Sequence, residues 1–219
     1  MKWFALAVVL LLSACSTKPA LEVINRPIQF DEQRKALTLQ YLKDRYGMVQ
    51  VEPTITPKMV VVHWTVVPTL EKTFKVFDPP LLASSRTQLT DAGALNVSAH
   101  YLVDRDGTIY QIMPLTTMAR HVIGLNHSAI GIENIADGKT LPLTDEQIEA
   151  NIKIISYLSE LYPIDYVIGH HEYQQFIGHE LWKETDPGYL TIKTDPGDAN
   201  MRRIRARLAR LDLKPLPNP

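Results

Sequence analysis

Met59-Val60-Val61-Val62-His63-Trp64 is an apolar, mostly β-branched run with no polar residue alternating along its first four positions. A strand with one wet face alternates apolar and polar residues, whereas a strand covered on both faces is apolar throughout. This stretch therefore reads as an interior strand of a sheet with helices on either side, and His63 stands at its end. The short Tyr166-Val167-Ile168, which runs into Gly169-His170-His171, has the same character, and Ala129 to Ile135 reads as another strand. His100 to Val103 and Thr108 to Met113 flank Asp104-Arg105-Asp106-Gly107, whose Asp-Gly pair tolerates the backbone of a tight hairpin turn.

Helical periods separate these strands. Asp31 to Tyr46 places Ala36, Leu37, Leu39, Tyr41 and Leu42 among charges, with Gly47 as a stop, and Leu70 to Phe77 reads as a short helix. Thr144 with Gln147 three positions on forms a capping box, followed by the stripe Ile148, Ile152, Ile155, Leu158 and Leu161 up to Pro163. Asp198 to Leu211 closes the chain with a helix carrying Arg202, Arg203, Arg205, Arg207 and Arg210. Buried strands, helices and one hairpin together predict a single α/β domain with a central mixed sheet flanked by helices.

The 219 residues are 45% hydrophobic and 21% charged, enough apolar material for a sizeable core, so the chain is not disordered. With 23 Lys+Arg against 24 Asp+Glu the formal net charge is -1. The arginines of the last helix are read as dipole complementation on a solvated face, and no nucleic-acid partner is expected. A single cysteine excludes a disulfide framework. No glycine-rich phosphate loop and no Gly-x-Ser-x-Gly elbow occurs, which removes nucleotide hydrolysis and serine esterase chemistry.

That cysteine has a particular place. Lys2 precedes an apolar run from Trp3 to Leu12, too short to span a bilayer but suited to a secretory signal. Leu12-Ser13-Ala14-Cys15 resembles the lipobox of bacterial lipoproteins. The resemblance implies a signal peptide over residues 1–14, lipidation of Cys15, a membrane partner through that anchor, and a tether over residues 15–27. Ser16, where an Asp would resemble an inner-membrane retention signal, points to the outer membrane of a Gram-negative cell, facing the periplasm. The domain is expected over residues 28–213, with a tail over 214–219.

Several of the seven histidines stand where strands end, the edge from which side chains of an α/β sheet reach a shared crevice. A zinc hydrolase needs about three imidazole or carboxylate ligands and one open position for water. His63 and His170 are candidates for two of them. The third would come from an Asp or Glu downstream, and spacing alone does not choose it.

Five blocks taken in order carry a family resemblance: Val60 to Thr65; Ser98 to Tyr110; His121 with Asn126-His127-Ser128-Ala129-Ile130-Gly131-Ile132-Glu133; Gly169-His170; and Lys193-Thr194-Asp195-Pro196-Gly197. Together they resemble the zinc-dependent N-acetylmuramoyl-L-alanine amidases of the amidase-2 type, relatives of phage lysozyme-type amidases and of peptidoglycan recognition proteins. The resemblance implies a peptidoglycan-recognition-protein-like fold and hydrolysis of the amide between N-acetylmuramic acid and L-alanine in peptidoglycan or muropeptides. It implies one zinc ion held by His63, His170 and Asp195, with Glu133 handling the proton of the attacking water and Lys193 stabilising the oxyanion. It places His121, Asn126 and His100 along the substrate groove. Ala99 stands where phage relatives carry a catalytic tyrosine, which leaves proton handling to Glu133. His171, next to His170, competes as a ligand, and Asp186-Pro187-Gly188 repeats the turn of Asp195. A muropeptide-binding module that does not cut is the other function this fold could serve; the complete set of ligands with Glu133 and Lys193 favours the enzyme.

Overall fold

The computed structural model describes residues 21–84 and 92–217; the expected signal peptide, Cys15 and the start of the tether lie outside that range. Six strands form one sheet: β1 (Ile24–Asn25), β2 (Met59–Trp64), β3 (Tyr101–Val103), β4 (Ile109–Gln111), β5 (Ala129–Asn134) and β6 (Tyr166–Gly169). Their spatial order is β1-β4-β3-β5-β2-β6, with β3 and β4 antiparallel and all other neighbours parallel. The sheet is mixed because a four-residue turn can join only antiparallel strands, while every parallel pair needs a longer crossover.

The apolar run that opens β2 is buried along its length, and its period of two divides the core. Val60 and Val62 pack with Ile130 and Ile132 against α3 (Asp145–Leu161) and α4 (Asp198–Arg207). Met59 and Val61 face the other way, toward α1 (Glu32–Tyr46) and the 3-10 helix His170–Phe176. A third cluster joins Leu102 and Ile112 to α2 (Leu70–Phe77). Helices therefore cover both faces of a central β5-β2-β6 block.

Local chemistry sets the helix ends. The Asp31 side chain caps α1 by accepting from the Arg34 N–H, and Gly47, in the left-handed region at φ 64°, terminates it. The capping box of Thr144 and Gln147 starts α3, and Gln147 Nε2 also donates to the carbonyls of Val103 and Ile135. On α4, Arg203 pairs with Asp145, Arg207 with Glu149 and Arg205 with Glu172. The exposed pairs of Arg203 and Arg207 contribute at most about 1 kcal/mol each, whereas fully buried Met201 and Ile204 contribute about 1.5–3 kcal/mol each. The apolar face, with the arginines answering acids nearby, accounts for the docking of this helix.

Three stretches differ from the reading of the sequence. Ile24 and Asn25, within the expected tether, form β1 beside Tyr110 and Gln111, and the Arg26 and Ile28 N–H groups continue the pairing to Gln111 and Ile112. The folded unit thus begins before residue 28. Lys214, in the expected tail, donates its N–H to Asp165 and pairs with that carboxylate, while Leu216 packs on the second cluster. The last helix stops at Arg207 rather than Leu211. Two-residue strands and backbone-anchored tails carry no periodicity, so the sequence leaves them unmarked. Among the described residues no helix is long and apolar enough to cross a membrane.

Candidate metal centre and cleft

The carboxyl ends of β2, β5 and β6 lie side by side, and the register sets His63 directly opposite Glu133 and Val62 opposite Gly169, one residue before His170. This is the edge of an α/β sheet at which crevices form. A cleft of about 220 Å3 opens there, lined among others by His63, Glu133, His170, Lys193 and Asp195.

Three side chains converge in it. His63 Nδ1 lies 3.0 Å from His170 Nδ1 and 3.2 Å from Asp195 Oδ2, and His170 Nδ1 lies 3.0 Å from the same oxygen. All three residues are buried. Two imidazole lone pairs and a carboxylate oxygen at such separations repel unless a proton or a cation lies among them. Ligands about 2.0–2.1 Å from a tetrahedral ion stand about 3.3–3.4 Å apart, so the triangle is close to one face of a zinc coordination shell. Burial and the neighbouring His63 push the His170 imidazole down to about 4, so it is neutral at pH 7. The imidazoles of His170 and His63 hold the Asp195 carboxyl well below the usual range, against the opposing effect of burial. A neutral His170 imidazole and an ionised Asp195 carboxylate are in the protonation states a metal requires.

The surroundings hold these side chains in place. Asn134 Nδ2 donates to the His63 carbonyl at 2.9 Å, and Asn151 on α3 donates to Asn134 Oδ1 at 2.7 Å. His171 turns away from the cluster: its Nδ1 lies 3.0 Å from the Asp195 carbonyl and its Nε2 2.9 Å from Asp198, so it braces the loop that carries Asp195. Asp186 is exposed, accepts from the Gly188 N–H within its own turn, and stays out of the cluster.

The three expected substrate residues separate. His121 and Asn126 line the cleft. Asn126, however, accepts from the N–H groups of His121 and Val122 and donates to the Tyr46 hydroxyl, so its polar atoms are committed to holding the loop. His100 does not line the cleft and is fully buried; its Nδ1 accepts from the Gly131 N–H at 3.0 Å and its Nε2 donates to the Thr117 carbonyl at 2.9 Å. The structure does not bring His100 to the cleft with the other two: both of its ring nitrogens are used by backbone. Arg120 is likewise spent on the carbonyls of Gly93 and Leu95 and the Tyr189 hydroxyl.

Other residues also line the wall. Tyr41 reaches the cleft from α1, so that helix forms part of the wall as well as packing on the sheet. Val66, two residues past β2, holds φ at 58°, is 67% exposed and lines the cleft. A β-branched residue in the left-handed region is strained, and nothing in its local sequence announces that. Thr191 and Tyr189 complete the side next to Lys193. Trp182 stacks on Tyr173, with ring centroids 6.2 Å apart.

No curated protein matches the chain. Among solved structures it is similar to the endolysin LysCS of Clostridium intestinale URNW, an N-acetylmuramoyl-L-alanine amidase, at 23% identity over 73% of this chain and 86% of that one, TM-score 0.49. A selenomethionine derivative of AmpD shows 26% identity over 69% and 84% of the two chains, TM-score 0.46. Peptidoglycan recognition protein LE, solved with tracheal cytotoxin, shows 16% identity over 80% and 92%, TM-score 0.48. The profile of the N-acetylmuramoyl-L-alanine amidase family matches residues 53–198, which run from just before β2 to the first turn of α4 and contain every residue of the cluster. The protein belongs to the N-acetylmuramoyl-L-alanine amidase family of the amidase-2 type.

Proposed function

We propose that the protein is a zinc-dependent N-acetylmuramoyl-L-alanine amidase that acts on peptidoglycan or muropeptides from a lipid anchor. The observation that carries this reading is the convergence of His63, His170 and Asp195 in a cleft that also holds Glu133 and Lys193. His63, His170 and Asp195 hold one zinc ion, which when bound polarises the scissile carbonyl and lowers the pKa of a water. Glu133, beside His63 on the neighbouring strand, takes the proton of the attacking water and returns it to the leaving amine of L-alanine. Lys193, two residues before Asp195, neutralises the negative oxygen of the tetrahedral intermediate. Nearness of Lys193 to the site is consistent with its charge lowering the His170 pKa. Tyr41, Phe77, Val97 and Tyr189 supply apolar wall on which sugar and stem peptide lie.

The leader reading supplies the location. Residues 1–14 are removed, Cys15 carries the lipid, and the domain faces the periplasm from the outer membrane. Lipid chains contribute about 0.8 kcal/mol per buried methylene, so more than one chain makes the attachment stable. Membrane fractionation of a Cys15→Ser variant tests this: the variant leaves the membrane fraction, and its retention there refutes the anchor.

Mass spectrometry of a defined muropeptide incubated with the protein, with a chelator-treated sample and a Glu133→Ala variant alongside, tests the reaction. Release of a stem peptide beginning with L-alanine, abolished by both, is expected. An uncut muropeptide bound by a folded, zinc-loaded protein replaces this reading with a binding module. Cleavage between sugars or within the peptide refutes the bond assignment.

A further inference from the structure

The ring of His121 lies behind His63. His121 Nε2 is 3.3 Å from the Ala129 carbonyl oxygen, and His121 Nδ1 is 3.0 Å from His63 Nε2. A neutral imidazole carries one ring proton. A carbonyl oxygen only accepts, which puts that proton on Nε2. Nδ1 of His121 is then a lone pair, and the hydrogen bond at 3.0 Å requires His63 to donate from Nε2. With its ring proton on Nε2, His63 keeps the lone pair of Nδ1, the nitrogen that meets His170 and Asp195.

We propose that His121 is a positioning residue: through the Ala129 carbonyl it locks His63 in the Nε2–H tautomer and so presents His63 Nδ1 to the metal. This rests on the metal reading above. It also reassigns His121, which the family resemblance places among substrate contacts.

The surroundings are built for the relay. A Cβ at position 131 would lie 2.8 Å from His121 Cγ, so Gly131 on β5 leaves the space in which the ring packs. The His121 N–H donates to Asn126 Oδ1 at 2.8 Å, and Asn126 is itself held by the Tyr46 hydroxyl, which fixes the backbone that aims the ring. The ring of His100 meets His121 edge-on at 6.0 Å, while its own nitrogens are bound to Gly131 and Thr117. No ring nitrogen of His100 or His121 therefore competes for the ion.

A long-range nitrogen–proton correlation spectrum of the metal-free full-length chain, with isotope-labelled histidine, reads the His63 tautomer directly. Zinc affinity, measured by chelator competition, is then compared among the wild type, His121→Asn, which keeps an acceptor at the Nδ1 position, and His121→Leu, which removes it. The expected result is His63 protonated at Nε2, affinity close to wild type for His121→Asn, and a Kd raised by about 10- to 100-fold for His121→Leu. His63 protonated at Nδ1 in the wild type, or equal affinities for the two folded variants, overturns the proposal. The spectrum of the wild type decides the tautomer even if His121→Leu does not fold. A wild type that binds no zinc refutes the metal reading separately, with the tautomer still decided by the spectrum.

Discussion

Replacing His100 with Asn should separate a histidine that holds the fold from one that holds substrate. Burial pushes the His100 imidazole down to about 4 from an ordinary 6.5. Its Nδ1 accepts from the Gly131 N–H, so a second ring proton would set two donors against each other. The unfolded chain takes up the proton first as pH falls. The stability His100 contributes is therefore fully present above pH 6.5 and is lost as pH falls toward 4. A gap of about 2.5 pH units corresponds to about 3 kcal/mol, of which about 2 kcal/mol is lost between pH 7 and pH 5. Asn at this position can still accept from Gly131 but leaves the Thr117 carbonyl unpaired beside a small void, costing about 2 kcal/mol at pH 7. Urea unfolding of the zinc-free wild type and the His100→Asn variant at both pH values gives the test. Other buried histidines titrate in both proteins, so the difference between them isolates His100. That difference should shrink from about 2 kcal/mol at pH 7 to near zero at pH 5, with KM unchanged. A gap equal at both pH values refutes the reasoning, and a raised KM with unchanged stability would return His100 to the substrate groove.

Zinc at about one hundred times its Kd adds about 2.7 kcal/mol to folding, which for a domain of this size raises Tm by about 5–10 °C. Scanning fluorimetry should show that rise in the wild type and not in His63→Ala or Asp195→Asn; equal rises would place the ion elsewhere. Val66→Gly relieves a strained backbone at φ 58°, worth about 1–3 kcal/mol against about 0.5–1 kcal/mol of added chain entropy, so thermal unfolding should shift up by a few degrees. A lower Tm would show that the wall residue is not strained. At Gly138, φ is 71° and a Cβ would come within 2.0 Å of the Trp64 ring, so Gly138→Ala should cost about 2–3 kcal/mol and alter tryptophan fluorescence. Unchanged stability and emission would contradict the close approach.

The placement of His63 and His170 at strand ends was legible because their strands are. An unbroken apolar run such as Met59 to Val62 has few environments open to it, and the capping box at Thr144 starts a helix by local hydrogen bonds alone. Gly47 and Asp31 mark the ends of α1 for the same local reason. These features depend on residues within a few positions of one another, so composition and spacing carry them.

The direction of each histidine ring does not depend on near neighbours. His63 meets His170 from 107 positions away and Asp195 from 132, and only the register of β2 with β5 and β6 makes those meetings possible. His170 and His171 are adjacent and chemically identical, yet one joins the cluster and the other braces the Asp195 loop, because both open the 3-10 helix His170–Phe176, where successive side chains point about a third of a turn apart. His100 and His121 likewise look equivalent in sequence; contacts with Gly131, Thr117 and Ala129 bury the first in backbone hydrogen bonds and set the second behind His63. The amino-acid sequence by itself determined the strands, the helix caps and the set of groups able to do chemistry. Tertiary structure decided which nitrogen of which ring faces the cleft, because that choice is made by hydrogen bonds between segments far apart in the chain.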